Sequence, residues 1–151
     1  MLWCNAVGRI GPAARDAVPL LRDSLTPDYN FDYSNAYAAA VALARLWPSV
    51  KEAAPDIPER IVPILADTIA SGSPGHVNAP GIEEAIEALG AMGPVARKAL
   101  PALRKVLQNP RTDPFGDTGR EPSPEEKQYA QALRKAAAEA IQNISGEKVE
   151  K

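Results

Sequence analysis

The chain holds one histidine, His76, and one cysteine, Cys4, among its 151 residues. Those counts restrict its chemistry at once. A cysteine-cluster zinc site needs several thiolates, and a zinc site of the multi-histidine type needs several imidazoles. A single cysteine also rules out an internal disulfide framework. His76 sits in SGSPGHVNAPG, a stretch rich in Gly and Pro, where an exposed loop imidazole is expected. A Ser-His-Asp triad finds no motif around it. Asp28, Asn30 and Asp32 alternate as oxygen ligands would, but a calcium loop needs more carboxylates and a closing Glu at fixed spacing. Cys4 precedes an apolar run and is expected to be a buried, inert thiol. No catalytic residue, metal ligand or cofactor is assigned, and a non-enzymatic protein is expected.

Two other constellations could bind a partner. The first lies in three long segments, Thr26–Ser34, Ser71–Gly81 and Asn109–Ser123. Five of the eight aromatic residues fall in or beside the first and third: Tyr29, Phe31, Tyr33, Phe115 and, one turn further on, Tyr37. Arg111 and Arg120 accompany them. Aromatic side chains with Arg on an accessible edge have the composition of binding hot spots. The candidate partner-binding residues are therefore Tyr29, Phe31, Tyr33, Arg111, Phe115 and Arg120. The competing reading makes these segments ordinary turns, with Phe31 and Phe115 pinned onto the scaffold as apolar anchors. The second constellation is a partial basic row, Arg15 with Arg22 and Arg97 with Arg104, next to Lys98 and Lys105. Residues seven apart lie nearly on one helix face. Such a row could hold an acidic peptide or a phosphate, but Asp16 and Asp23 sit beside Arg15 and Arg22 and offset them. A solvated face with local ion pairs is the plainer alternative.

The elements that position these residues follow from an internal repeat. GRIGPAARDAVPLLRDSL begins at Gly8, and GAMGPVARKALPALRKVL begins at Gly90. A repeat of this length describes a supersecondary unit that cannot bury its apolar face alone and stacks on its neighbour. Four segments share one ending: AVGRIG from Ala6, ALARLW from Ala42, ALGAMG from Ala88 and AIQNIS from Ala140. Within them Val7, Leu43, Leu89 and Ile141 align, as do Ile10, Leu46, Met92 and Ile144. Positions i, i+1 and i+4 make one apolar stripe on a helix, and the recurring Ala lets two helices approach closely. These are the A helices. Gly11 and Gly93 suit a helix C′ position, with a Pro just beyond at Pro12 and Pro94; Pro48 follows the second ending. The B helices then carry Pro19, Pro63 and Pro101 at one aligned position, expected in the first turn, where a missing N–H costs nothing. A short helical turn near Pro12–Asp16 is expected to precede the first B helix. Pro48 and Pro63 lie 8 residues further apart than the other two pairs, which predicts a longer A–B turn in the second unit. Ser123-Pro124-Glu125-Glu126 is a capping box with Pro at N1, and Asp56-Ile57-Pro58-Glu59 follows the same logic. Helices are predicted near 2–10, 12–25, 35–46, 57–71, 82–92, 95–108 and 124–144.

The pattern GPxARxAxPxLRxxL after an ALGxxG ending resembles the HEAT-like repeats, in particular the short bacterial type also known as phycobilisome-lyase-like. The resemblance covers nearly the whole chain, most clearly 6–25 and 88–107. It implies an all-α fold, an α-α superhelix of about three and a half helical hairpins, in one repeat domain over 1–151. It also implies that B helices line the concave surface. The last unit departs from the pattern: Gln142 replaces the small residue of Gly8, Ala44 and Gly90, and no B helix follows. Terminal repeats of a solenoid are normally polar caps, yet Met1-Leu2-Trp3-Cys4 is not polar. The expectation is a segment of a longer solenoid or larger protein, or an N-terminal face covered by another chain. The alternative tucks Trp3 into the first hairpin.

Net charge is −2, which argues against a general nucleic-acid binder. Few aromatics on the B helices argue against the DNA-glycosylase branch of the resemblance, and the lack of His-Glu pairs against its di-iron branch. Apolar runs are too short to span a bilayer, and no secretory signal pattern opens the chain; a cytoplasmic location is expected. The function implied is a protein-protein interaction scaffold, its partner another protein or other domains of the same polypeptide. The alternatives are a phycobilisome-lyase-like module handling a small chromophore and a module binding an anionic ligand or nucleic acid.

Overall fold

A computed structural model describes residues 2–26, 33–71, 81–109 and 121–146. Its elements are α1 (Leu2–Ile10), a 3-10 segment (Gly11–Ala17), α2 (Val18–Asp23), α3 (Tyr33–Val50), α4 (Ile57–Ser71), α5 (Ile82–Met92), a second 3-10 segment (Gly93–Ala99), α6 (Leu100–Gln108) and α7 (Pro124–Ser145). No strand occurs among the described residues, and the fold is all-α. The expected helices are present, with the short turn before α2 extended to seven residues of 3-10 helix.

Alternate helices pack on one another in chain order: α1 on α3, α3 on α5, α5 on α7. On the other side α4 packs on α3 and α6, and α6 packs on α7. The central element is α3. Every residue from Ala36 to Ala44 is buried, as required of a helix enclosed by neighbours on all sides. Alanine dominates that run because small side chains allow several helices to close around one axis. The larger core side chains, Leu21, Ile61, Leu65, Ile86, Leu89, Leu103 and Ile141, fill the spaces between elements.

Two copies of one contact set the spacing. A Cβ added to Gly8 would lie 3.0 Å from Ala42 Cα and 3.2 Å from Ala42 Cβ. A Cβ on Gly90 would lie 3.1 Å from Ala140 Cα and 3.2 Å from Ala140 Cβ. The third position of one A ending thus meets the first position of the next.

The A-to-B turns of the first and third units are also alike. Gly11 and Gly93 have φ of +71° and +69°, a region that an L side chain rarely adopts. Each starts a 3-10 segment that hands over to the following helix through one geometry: Ala17 at φ −83°, ψ −5° and Ala99 at φ −85°, ψ −10°. Pro19 and Pro101 occupy the first turns of α2 and α6, as expected.

The second unit corrects the expectation for Pro63. This residue lies inside α4, not in its first turn. Trp47 stands where the other units have Gly11 and Gly93, and a Trp backbone does not enter positive φ cheaply. Without that stop, α3 runs on through Pro48 to Val50. The chain then turns over 51–56 and α4 begins at Ile57, carrying the buried stripe Ile57, Ile61, Leu65 and Ile69. Most of the extra residues have therefore become helix rather than loop. The capping box of α7 forms as expected: Glu126 N donates to Ser123 Oγ (3.2 Å) and Ser123 N donates to Glu126 Oε2 (2.6 Å).

The Gly90–Ala140 contact leaves no room for a branched side chain. Gly90→Leu should destabilise the fold by about 2 kcal/mol or more through overpacking. Ala91→Leu, one residue on and exposed, should change stability by less than about 0.5 kcal/mol. Urea denaturation of the two variants checks the difference.

Candidate interaction surface

Of the six aromatic and Arg candidates, Tyr29, Phe31, Arg111, Phe115 and Arg120 lie outside the described residues, as do Asp28, Asn30, Asp32 and His76. Tyr33 is the first residue of α3. What the structure does describe is how the connectors are anchored. Tyr37 Oη donates to the Gly81 carbonyl (3.0 Å), joining the start of α3 to the residue that precedes α5. Lys105 Nζ donates to the Ala70 carbonyl (3.4 Å), joining the last turns of α6 and α4. A small cavity of about 70 Å³ opens between the same helix ends, floored by Ile69, Ile82, Val106 and Leu133, with exposed Lys105 and Asn109 at its margin. It has room for waters and falls well short of an organic ligand's needs. The flanks of the second and third connectors, Ala70, Ile82 and Asn109, thus meet at one edge.

Tyr37 itself leaves the aromatic edge that the sequence suggested. It is 1% exposed, enclosed in the core under that edge. Glu84 on α5 is its first neighbour in charge terms, followed by Tyr129 on α7. Burial pushes the Tyr37 hydroxyl well above the ordinary tyrosine range; Glu84 and Tyr129 push the same way and Arg45 opposes them. Tyr129 is raised by burial and then by Glu83. The Cys4 thiol is also raised by burial and is 1% exposed, the setting of an unreactive cysteine.

The basic row is only partly available. Arg15 and Arg97 hold the same position in the two 3-10 segments, and both are exposed. Arg104 on α6 is exposed as well. The Arg22 guanidinium donates to the Asp56 carboxylate, in the turn that leads into α4. The sequence places Asp56 as the cap of α4; its carboxylate instead takes a partner from another unit. Sequence proximity pointed to Asp23 as the offsetting charge and missed this long-range pair. A second ionic group was also missed. Glu84 on α5 faces both Arg45 on α3 and Arg9 on α1, each at 3.6 Å. Arg9 and Arg45 are the fourth residues of their aligned endings, a register that could have signalled a shared partner.

No family model, curated protein or solved structure matches the chain. The site must therefore be read from its own geometry. Among the described residues no group of three or more His, Cys, Asp or Glu converges, and no helix is long and apolar enough to cross a membrane. The accessible features are the edge where the connectors emerge and the exposed arginines of the 3-10 segments and α6.

Ionisation of Tyr37 gives a pH test of the anchor. Its folded-state pKa exceeds the unfolded value near 10. The stabilisation is whole below about pH 10 and declines as pH rises above it, because only the unfolded chain then releases the proton readily. Cys4 and Tyr129 act in the same direction. Tyr37→Phe should lower stability at pH 7 by about 1 kcal/mol or less and flatten the loss between about pH 9.5 and 11 relative to wild type. Thermal melts across that range, followed by circular dichroism, read both effects.

Proposed function

We propose that the chain is an α-α superhelical stack of HEAT-like hairpins that acts as a non-enzymatic protein-interaction scaffold. One observation carries the reading: the first and third units repeat the same Gly-to-Ala helix contact and the same glycine-initiated turn, backbone angle for backbone angle. A scaffold built of repeats places equivalent connectors in series, and loops on a rigid support are where binding residues concentrate. Connector flanks meeting at one edge support a rim carrying Tyr29, Phe31, Tyr33, Arg111, Phe115 and Arg120 as the partner-binding surface. The partner is a protein, either separate or part of the same polypeptide.

The exposed Arg15 and Arg97, with Lys98 and Arg104 nearby, favour a second reading in which an acidic segment or phosphate-bearing ligand lies along the B side. Pairing of Arg22 with Asp56 weakens it.

Affinity capture from the native host separates the two. Wild-type chain should retain a stoichiometric protein that the triple variant Tyr29→Ala, Phe31→Ala, Phe115→Ala loses. Under the second reading the loss follows Arg15→Glu with Arg97→Glu instead, and retention falls steeply with salt. A chain that retains no protein in either form overturns the scaffold reading.

A further inference from the structure

The outer face of α1 is apolar and uncovered, and the repeat shows that this is out of keeping with its equivalents. Trp3 aligns with Ala39, Ala85 and Ala137, which are all 0% exposed. Ile10 aligns with Leu46, Met92 and Ile144, all buried. Ala6 aligns with Ala42, Ala88 and Ala140, also buried. In α3 and α7 this face takes the close contact from the preceding A helix, through Gly8 and Gly90. In α1 the same three positions are open: Trp3 is 43% exposed, Ile10 60%, and Ala6 is exposed too. Leu20 on α2 is 61% exposed as well, where its equivalent in α6, Ala102, is buried.

We propose that a second copy of this chain covers this face, α1 against α1, in an antiparallel two-fold pair. Three observations select that occupant. An in-register stacked hairpin would need a methyl group where Trp3 stands, since the equivalent alanines have no exposed surface at all. The opposite end of the same chain does not fit either, because α7 turns Arg134, Lys135, Glu139, Gln142 and Asn143 outward, and Gln142 replaces the small residue through which Gly8 and Gly90 make their contacts. Against its own copy, however, the face is self-complementary. Trp3 and Ile10 are two turns apart on one side of α1 and flank Ala6. An antiparallel crossing over Ala6 therefore sets each Trp3 against the other chain's Ile10, with the two small residues at the centre. An isologous contact of this kind closes on itself. Trp3, Ala6 and Ile10 make a contact below the roughly 800 Å² per partner of stable complexes, so the pair is weak and concentration-dependent.

The proposal rests on the repeat alignment behind the scaffold reading, yet the two fail separately, because a monomer could still bind partners at its rim. Sedimentation equilibrium of the full chain over roughly 5–500 μM should show monomer and dimer exchanging. Ile10→Glu should weaken association at least about tenfold, with the circular dichroism and melting temperature of the fold unchanged, since Ile10 is exposed. Ala6→Cys should cross-link to itself under mild oxidation, and Asn143→Cys at the polar end should not. A chain that stays monomeric throughout, a dimer indifferent to Ile10→Glu, or cross-linking at residue 143 in place of residue 6 overturns the proposal.

Discussion

The distance between neighbouring A helices governs this fold. Where Gly8 meets Ala42 and Gly90 meets Ala140, the helices approach so closely that an added Cβ would lie only 3.0–3.2 Å from the facing alanine. That proximity lets a chain with so few aromatics enclose a core. Alanine contributes little burial per residue, so its stabilisation depends on dispersion between closely packed atoms. Moving the axes apart by the width of a methyl group would leave the Ala36–Ala44 run facing voids. The larger Leu and Ile side chains then act as wedges that fix which face of each helix meets its neighbour.

The second constraint is backbone conformation at the turn. Glycine at positive φ ends α1 and α5 and sends the chain into a 3-10 segment. Trp47 at the equivalent place removes that stop, and both the extension of α3 and the early start of α4 follow from it. Prolines alone did not stop either helix: Pro48 and Pro63 are both accommodated inside helices. A proline removes one N–H and crowds the preceding turn, but apolar stripes on both sides of it kept these helices continuous. Glycine sets a direction, whereas proline only removes a hydrogen bond.

This difference explains how much could be read from the amino-acid order. The helix phases, the capping box at Ser123 and the Gly-Pro turns are local features, with their determinants within a few residues of one another. The position of Pro63 was missed because aligning prolines ignored the residue sixteen positions earlier that decides the turn. Tyr37 was grouped with exposed aromatics because it follows the first connector; its burial depends on α5 and α7, which no local pattern contains. The Arg22–Asp56 and Arg45–Glu84 pairs are long-range for the same reason. The exposure of Trp3, Ala6 and Ile10 on α1 depends on which elements pack against that helix, and no local pattern contains them.

The two ends of the stack differ in a way that bears on assembly. The outward face of α7 is polar: Arg134, Lys135, Glu139, Gln142 and Asn143 are exposed. The α1 end is apolar. Heterologous head-to-tail contacts build open filaments; the proposed α1 pairing is isologous and would close on itself instead. The connector edge is built from the ends of α4, α5 and α6. If the connector edge binds a partner as proposed, a dimer would present two such edges, and a partner with two matching sites would gain from the resulting effective concentration.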